Sequence, residues 1–353
     1  MKKLDLAIHQ FLQQGTVIPA HPLALNQQLK LDEMRQRQLT RYYMASGAGG
    51  IAVGVHTTQF EIRRPEINLL EPVLRLAAEE IEKVNLKKPF IKVAGIVGPT
   101  QQAVKEAELA VKYGYHLGLV SMGGLSSYSE DELIKRAEEI SNIIPVFGFY
   151  LQPAVGGRVL SYSFWEKFSA IPSLYAIKVA AFNRYQTLDV VRAVCSSPRR
   201  NEIALYTGND DNIMADLITP YRFTINGEVI EKRFVGGLLG HYAVWTKTSV
   251  TLFNEIKQRI AHNSGIENLL AKGIEVTDMN AAIFDAAHAF KGCIAGIHEV
   301  LRRQGLMEGT WCLNPEEKLS PAQSEEIERV YKMYPYLTDD DFVRQFISEE
   351  QPL

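Results

Sequence analysis

A lysine inside an apolar strand is the residue of this sequence best suited to covalent chemistry. Lys178 lies near the end of the apolar run that extends from Leu174 to Phe182. A solvated lysine has a pKa of about 10.4, but burial disfavours the ammonium and lowers that pKa by several units. The neutral amine then attacks a ketone carbonyl and forms a Schiff base. The alternative interpretation is a lysine that extends to solvent at the rim of the fold.

A tyrosine precedes this lysine by one structural repeat. Tyr150 ends the apolar run Phe-Gly-Phe-Tyr, after which Pro153 turns the chain. If the two strand ends are adjacent, the phenol lies beside the amine and shuttles protons to the carbinolamine. A tyrosine that only packs its ring is the alternative. Lys92 is a rival lysine in another apolar run, but it comes well before the following turn, so we expect it to lie deeper or to point outward.

The elements that must position these residues form a repeating pattern. Eight short apolar runs are each followed by a polar turn and a segment of helical periodicity, which is typical of serial βα units. Strands that are apolar on both faces favour a parallel sheet closed into a barrel. We therefore predict an α/β fold, a (β/α)8 TIM barrel with a C-terminal helical extension, and keep a doubly wound open sheet as the alternative. The predicted strands are Thr16–Pro19, Ile51–Val55, Phe90–Ala94, Leu117–Val120, Val146–Tyr150, Tyr175–Val179, Ala204–Thr207 and Phe234–Leu239.

Local signals support these elements. Ser129-x-x-Glu132 and Ser163-x-x-Glu166 have the spacing of capping boxes and predict helix starts after strands four and five. Within Arg222–Ile230, Asn226-Gly227 between β-branched residues predicts a hairpin with a type I′ turn.

The C-terminal part of the sequence lacks the βα pattern. We predict that residues 1–265 form the barrel, with the hairpin inserted near 222–230, and that residues 266–353 form the helical extension. Thr277–Gln304 is predicted to be one long helix with Gly305 after its end. Ser320-Pro321-x-Gln323 is predicted to open another helix.

Three motifs follow one another along predicted strands five to seven. They are Tyr150-x-x-Pro153-x-x-Gly156-Gly157, then Ile177-Lys178, then Thr207-Gly208-Asn209-Asp210-Asp211. Together, in this order and spacing, they resemble the dihydrodipicolinate synthase and N-acetylneuraminate lyase family. The resemblance spans the barrel and the helical tail.

The resemblance implies a fold, an activity and roles for particular residues. Members of this family are pyruvate-dependent class I aldolases, lyases and dehydratases, commonly tetrameric, in which the lysine forms the Schiff base and the tyrosine relays protons. It therefore implies these roles for Lys178 and Tyr150, and substrate binding at Gly208 and Asn209. From the residues alone, Asn209 is also suited to cap the next helix, whose positive N-terminus the two following aspartates favour.

The turn after strand two departs from the family pattern. The family has Gly-Thr-Thr-Gly-Glu there, which holds the keto-acid carboxylate, whereas this sequence has Gly54-Val55-His56-Thr57-Thr58-Gln59. Ungapped pairing places His56-Thr57 at the threonine pair, and one inserted residue places Thr57-Thr58 there. Both pairings stay open. Hydroxyls and turn amides can bind a carboxylate in either case, so we predict that His56, Thr57 and Thr58 bind substrate.

Two further departures argue against a true dihydrodipicolinate synthase. The synthase has a pair of tyrosines after strand four that reaches a neighbouring subunit, where this chain has Gly123-Gly124. The arginine that grips the second substrate is replaced in register by Val155, and Arg158 is displaced from that position.

Three histidines suggest a different mechanism. His21, His56 and His241 follow predicted strands one, two and eight, which are neighbours in a closed barrel. Converging imidazoles bind zinc or another divalent ion. Histidines that form separate hydrogen bonds are the interpretation we adopt, so we predict neither a metal nor another cofactor.

Composition restricts the partners. With a formal net charge of -3, the chain lacks the basic excess typical of nucleic-acid binding. Polar residues interrupt the N-terminal apolar run, and no stretch approaches the roughly 18 apolar residues of a membrane span. We predict a cytoplasmic protein with no nucleic-acid or membrane partner, and a homo-oligomer, either a tetramer or a dimer.

The sequence thus predicts a Schiff-base lyase, aldolase or dehydratase that acts on a 2-keto acid or keto sugar acid. Two alternatives remain: a metal-assisted barrel aldolase that uses the histidines, and a barrel that binds a keto or sugar acid without turnover. The presence of both Lys178 and Tyr150 argues against the second alternative, because binding alone needs neither.

Overall fold

The computed structural model describes residues 2–84 and 86–350. Its strands are β1 (Val17–Pro19), β2 (Gly50–Val53), β3 (Ile91–Ile96), β4 (Leu117–Val120), β5 (Val146–Leu151), β6 (Leu174–Ala180), β7 (Ala204–Thr207), β8 (Tyr221–Ile225), β9 (Glu228–Lys232) and β10 (Phe234–Leu239). Its α-helices are α1 (Leu6–Gln14), α2 (Glu33–Ser46), α3 (Leu70–Lys83), α4 (Thr100–Lys112), α5 (Glu130–Ser141), α6 (Tyr162–Ser169), α7 (Arg184–Ser196), α8 (Ile213–Ile218), α9 (Thr246–His262), α10 (Ile266–Ile283), α11 (Cys293–Arg303), α12 (Gln323–Met333) and α13 (Asp340–Glu350).

Eight of the strands form one parallel sheet that is nearly closed into a barrel. Their order is β1-β10-β7-β6-β5-β4-β3-β2, and a parallel bridge joins Ala20, after β1, to Ala52 of β2. Every residue of β3, β4, β5 and β7 is buried, as the continuous apolar runs indicate. The predicted (β/α)8 barrel with C-terminal helices is confirmed.

Contacts between residues divide the chain into two compact units, each made of segments that are distant in sequence. The lysine unit combines Lys88–Leu238 with the N-terminal residues through Thr16. The histidine unit combines Val17–Lys87 with the segment from Leu239 onward. The predicted boundary at residue 265 between barrel and extension stays a prediction.

The lysine unit holds six adjacent strands of the barrel, β3 to β7 and β10, and the predicted hairpin. Strands β3 to β7 pair in sequence order, and β7 pairs with β10. Outside the barrel sheet, β8 and β9 pair antiparallel and contact α7. Asn226 and Gly227 join them with φ of 51° and 84°, as a type I′ turn requires. The predicted hairpin and its turn are confirmed.

Of the two predicted capping boxes in this unit, one forms. The Ser129 hydroxyl accepts from the amide of Glu132, whose carboxylate accepts from the amide of Ser129. The box predicted at Ser163 is wrong, because α6 begins two residues earlier. There the hydroxyl of Ser161 is the cap, and it accepts from the amide of Phe164.

The histidine unit contains β1, β2 and the helices α2, α3 and α9 to α13. The long helix predicted over Thr277–Gln304 is wrong: the chain leaves the helix after Ile283, and a second helix starts at Cys293. The carboxylate of Asp285 accepts from the His288 ring, the Gly292 amide and the Ser320 hydroxyl. These bonds hold Asp285 at a φ of 57°, outside the helical region.

The other C-terminal signals are confirmed. Gly305 follows the end of α11 with a φ of 81°. Helix α12 begins at Gln323, whose side chain accepts from the Ser320 amide. Within residues 2–84 and 86–350, each helix is either too short or too polar to span a bilayer.

Candidate active site

Lys178 lies on the face of β6 that points away from the surrounding helices. The strand register pairs it with Phe149 of β5 and Tyr206 of β7, and residues paired in this way share one face of a sheet. The Nζ atom lies 4.4 Å from the centre of the Phe149 ring. Only 8% of the lysine is exposed. The interpretation of Lys178 as a solvent-reaching rim lysine is therefore not supported.

A glycine on the next strand makes room for the lysine side chain. A Cβ atom at Gly208 would lie 2.6 Å from Cε of Lys178 and 2.8 Å from the Cβ of Ala180. Any larger residue there would displace the lysine. Gly208 therefore acts through its lack of a side chain, and its amide donates to the Val179 carbonyl.

The surroundings of Lys178 change its acidity. Burial lowers the pKa of Lys178 from 10.5 to about 8, and the negative charge of Asp210 partly opposes that decrease. With a pKa near 8, roughly a tenth of the amine is neutral at pH 7, compared with about one part in 10³ for a solvated lysine. A substantial fraction is thus a nucleophile at neutral pH.

The side chains of Tyr150 and Lys178 lie on opposite faces of the sheet. Tyr150 follows Phe149 directly, so its side chain points to the opposite face of β5. There its ring packs against Trp165 of α6, at 5.2 Å between centroids, and its hydroxyl accepts from the Leu160 amide. The register that pairs Phe149 with Lys178 thus turns Tyr150 toward α6, so the phenol and the amine lie on opposite faces of the sheet. The catalytic roles predicted for Lys178 and Tyr150 stay predictions.

The tyrosine that shares a face with Lys178 has its hydroxyl engaged elsewhere. Tyr206 is fully buried and donates to the carbonyl of Leu12 in α1, at 2.9 Å. Burial raises the pKa of Tyr206 well above its usual value. The hydroxyl of Tyr206 is therefore engaged with Leu12 and does not take over the proton-relay role predicted for Tyr150.

The rival lysine lies at the opposite end of its strand, as expected. Lys92 is the second residue of β3, and a Cβ atom at Gly114, in the turn before β4, would lie 3.2 Å from its Nζ. Its main-chain amide donates to the ring of His116, which precedes β4. Barrel enzymes place catalytic groups at the carboxyl ends of strands, which argues against Lys92 as the reactive lysine.

Asn209 is bound within the protein on both sides of its amide. Its Oδ1 accepts from the amide of Phe182, and its Nδ2 donates to Asp216 at 2.9 Å. The expectation that it caps the next helix is wrong, since Asn212 occupies the N-cap of α8. Asn209 instead ties the turn after β7 to the turn after β6. Its predicted binding of substrate stays a prediction.

The threonines after β2, in the histidine unit, also bind main-chain atoms. The Thr57 hydroxyl donates to the carbonyl of Ala20 at 2.8 Å. The Thr58 hydroxyl donates to the carbonyl of His21 at 2.6 Å and accepts from the Gly54 amide. Both hydroxyl protons are thus used to close the turn, and a carboxylate would have to bind other donors. Substrate binding by His56, Thr57 and Thr58 stays a prediction.

The three histidines have separate partners. His21 bonds to the Pro22 carbonyl and the Thr40 hydroxyl, and His241 donates to Asn280. The ring of His56 packs at 5.8 Å from that of Phe60. In the part of the chain that the structure describes, no three His, Cys, Asp or Glu side chains are grouped to hold a metal ion. The histidine cluster of the metal-assisted alternative does not form.

Two residues of the lysine unit have roles that the sequence interpretation did not assign. The Thr207–Asp211 motif suggests a helix N-terminal role for Asp210, whereas in the structure the negative charge of Asp210 also raises the pKa of Lys178 and so partly opposes the effect of burial. The Thr207–Asp211 motif contained the signal, because a turn at the carboxyl end of a barrel strand faces the site. Arg158 donates to the carbonyls of Leu125 and Tyr128, and so fixes the loop after β4.

Comparison with known proteins establishes the fold. The structure superposes with a TM-score of 0.71 on CdNal from Clostridium difficile, solved in complex with mannosamine, at 15% identity over 91% of this chain and 99% of the other. It matches dihydrodipicolinate synthase from Oceanobacillus iheyensis with a TM-score of 0.71, at 17% identity over 93% and 99% of the two chains. For N-acetylneuraminate lyase from Fusobacterium nucleatum the TM-score is 0.69, at 18% identity over 91% and 99%.

No protein-family model matches the sequence, and no curated protein matches it. The structural matches nevertheless confirm, at the level of the fold, the resemblance inferred from the motifs. The fold and Lys178 together define an α/β barrel with a buried lysine of lowered pKa on one of its strands.

Proposed function

We propose that this protein is a divergent member of the dihydrodipicolinate synthase and N-acetylneuraminate lyase family, and that Lys178 forms a Schiff base with a 2-keto acid or keto sugar acid. The observation that carries the proposal is the environment of Lys178, which is buried on β6, packed over Phe149 and has a pKa near 8. An amine in this state is a nucleophile toward ketones at neutral pH.

The proposed activity is that of a class I lyase. Once the amine has condensed with the keto group, the iminium withdraws electrons from the neighbouring carbon. Cleavage of a carbon–carbon bond and elimination of water both follow from the enamine that results. The iminium is itself the electrophile, so the proposed mechanism uses no metal and no organic cofactor. Solved neighbours with the same fold are a lyase and a synthase by name, which supports this class.

The substrate we favour is a hydroxylated keto acid. A neighbour of the same fold is solved with mannosamine, an amino sugar, and another is an N-acetylneuraminate lyase. The glycines at 123 and 124 replace the tyrosine pair of the synthase. Arg158 is bound to two main-chain carbonyls of the loop after β4, so it is not available in the way the synthase arginine is. Both features disfavour dihydrodipicolinate synthesis.

Borohydride trapping tests the proposal. Incubation with pyruvate, or with members of a panel of 2-keto acids and keto sugar acids, followed by reduction, should add the reduced ligand mass to the peptide that contains Lys178. Lys178→Met should abolish the adduct, because no other amine is expected at the carboxyl end of β6. Lys92→Met, which removes another buried strand lysine, should retain it.

Two results would contradict the proposal. One is labelling of Lys92 in place of Lys178. The other is absence of any adduct across the whole panel with folded protein, which would favour a barrel that binds acids without turnover.

A further inference from the structure

We propose that Asp210 is the acid–base partner of Lys178 and takes the role that the family gives to the tyrosine. This inference rests on the proposed function. It arises from three features of the lysine unit: the orientation of Tyr150, the packing of the turn after β7 against the lysine, and the different surroundings of the three aspartates in that turn and in α8.

The turn after β7 contacts the lysine directly. Gly208 lies against the Cγ and Cε atoms of Lys178, so closely that a Cβ atom could not fit. Asp210 comes two residues later in the same turn and is buried. The turn that packs against the lysine therefore also carries a buried carboxylate, in a region of low exposure where charges interact strongly. The negative charge of Asp210 favours the ammonium form of Lys178.

The other carboxylates nearby are differently engaged. Asp216 is fully buried and accepts from the side chains of Thr207, Asn209, Asn212 and Tyr221, and it pairs with Arg184. Its bonds connect the turn after β7 to α8. Asp211 is exposed, and the nearby positive charge is that of Arg184, not of Lys178. Asp210 is thus the aspartate of this turn that acts on the amine.

The aromatic groups on the two adjoining strands supply no proton carrier. Phe149 on β5 faces the ammonium with an apolar ring. Tyr206 on β7 donates its hydroxyl proton to Leu12, and Tyr150 lies on the other face. A Schiff base nevertheless requires proton transfer, since the carbinolamine oxygen leaves as water only after protonation.

One carboxylate can accept and return the proton that Schiff-base formation requires. Asp210 accepts a proton from the Lys178 ammonium, and the neutral amine attacks the keto carbon. The lysine nitrogen, now positively charged, then loses a proton to the former carbonyl oxygen, which gives the neutral carbinolamine. Asp210 returns its proton to the hydroxyl, the carbon–oxygen bond breaks, and the nitrogen lone pair forms the iminium as water departs. The net change is ammonium plus ketone to iminium plus water.

The first measurement tests the contact and needs no substrate. Reductive methylation by formaldehyde and cyanoborohydride, followed at the Lys178 peptide by mass spectrometry from pH 6 to 10, gives the pKa of this lysine. The wild-type midpoint should lie near 8. In Asp210→Asn the midpoint should move to lower pH, because a charge that stabilises the ammonium is lost. Asp211→Asn is the matched control and should leave the midpoint unchanged.

The second measurement tests proton transfer. With pyruvate and cyanoborohydride, adduct formation at Lys178 should be slower by about 10² in Asp210→Asn, even above the midpoint where the amine is neutral. Asp211→Asn should remain within about twofold of wild type. Asp210→Glu, which keeps a carboxyl group, should recover part of the rate, and it carries the test if the asparagine variant does not fold.

The outcomes are separable. A lower midpoint with slower trapping supports the inference. An unchanged midpoint, or a lower midpoint with wild-type trapping at high pH, overturns it. If wild-type Lys178 is methylated but forms no adduct with pyruvate or any keto acid of the panel, the proposed function fails first and the role of Asp210 with it.

Discussion

Buried ionisable groups in the two units have different surroundings. In the lysine unit, Lys178 lies over the Phe149 ring, and the negative charge of Asp210 favours its ammonium form. In the histidine unit, His21 and His241 are fully enclosed and bond to a carbonyl, a hydroxyl and an amide. Burial lowers the pKa of the lysine to about 8 and of both histidines to about 4. All three groups are therefore shifted toward the neutral form.

The difference lies in what the neutral form can do. The nitrogens of His21 are saturated by neighbours, so a neutral imidazole there stabilises the fold. Lys178 instead places its Nζ over the Phe149 ring and its Cγ and Cε against Gly208, so its closest described neighbours are mainly carbon atoms. A shifted pKa alone does not distinguish a reactive group from a structural one, whereas its hydrogen-bond partners do.

The largest effect that would sharpen this comparison is expected at Gly208. Gly208→Ala should reduce the rate of keto-acid trapping by about 10², because the new methyl group displaces Lys178 and small displacements of a nucleophile are costly. Gly118→Ala is the matched control, since its Cβ would also crowd buried atoms of the lysine unit, those of Ile144 and Ile96, but not the lysine. It should lower stability and leave the trapping rate near wild type. Equal trapping by both variants would show that Gly208 does not position the amine.

A histidine substitution should have the opposite profile. His21→Ala removes a fully buried ring and its hydrogen bonds, so the free energy of unfolding should decrease by about 2–3 kcal/mol. Trapping at Lys178 should be unchanged. Urea denaturation and trapping on the same preparation test both points, with the exposed His262→Ala as a control expected within about 0.5 kcal/mol of wild type. A selective loss of trapping in His21→Ala would break the comparison.

The smallest effect is expected at Tyr150. Tyr150→Phe loses the acceptor of the Leu160 amide and should decrease the free energy of unfolding by about 1 kcal/mol. Because the phenol points toward α6, trapping should change by no more than a few-fold. A loss of about 10²–10⁴ in trapping would mean that the phenol does relay protons, and would contradict both this orientation and the role given to Asp210.

Local patterns in the sequence were enough to predict the elements of the fold. The apolar runs gave the eight barrel strands, Asn226-Gly227 gave the hairpin turn, and Ser129 with Glu132 gave a helix start. Each depends on residues within one turn or one strand, so neighbours in sequence carry the information. The place of Lys178 near the carboxyl end of a strand was predictable for the same reason.

Long-range contacts decided what local patterns could not. The break after Ile283 depends on Asp285 and on Ser320, far along the chain. The Thr58 hydroxyl closes its turn through the carbonyl of His21, on another strand connection.

The orientation of Tyr150 is the clearest case of a feature that only the tertiary structure decided. Strand β5 is buried on both faces, so its sequence has no alternation of polar and apolar residues to show which side chains face the barrel interior. Pairing of Phe149 with Lys178 settles it, and a shift by one residue would exchange the two faces. The sequence by itself therefore determined that a lysine and a tyrosine end neighbouring strands. The register between those strands determined that the two side chains point to opposite faces of the sheet.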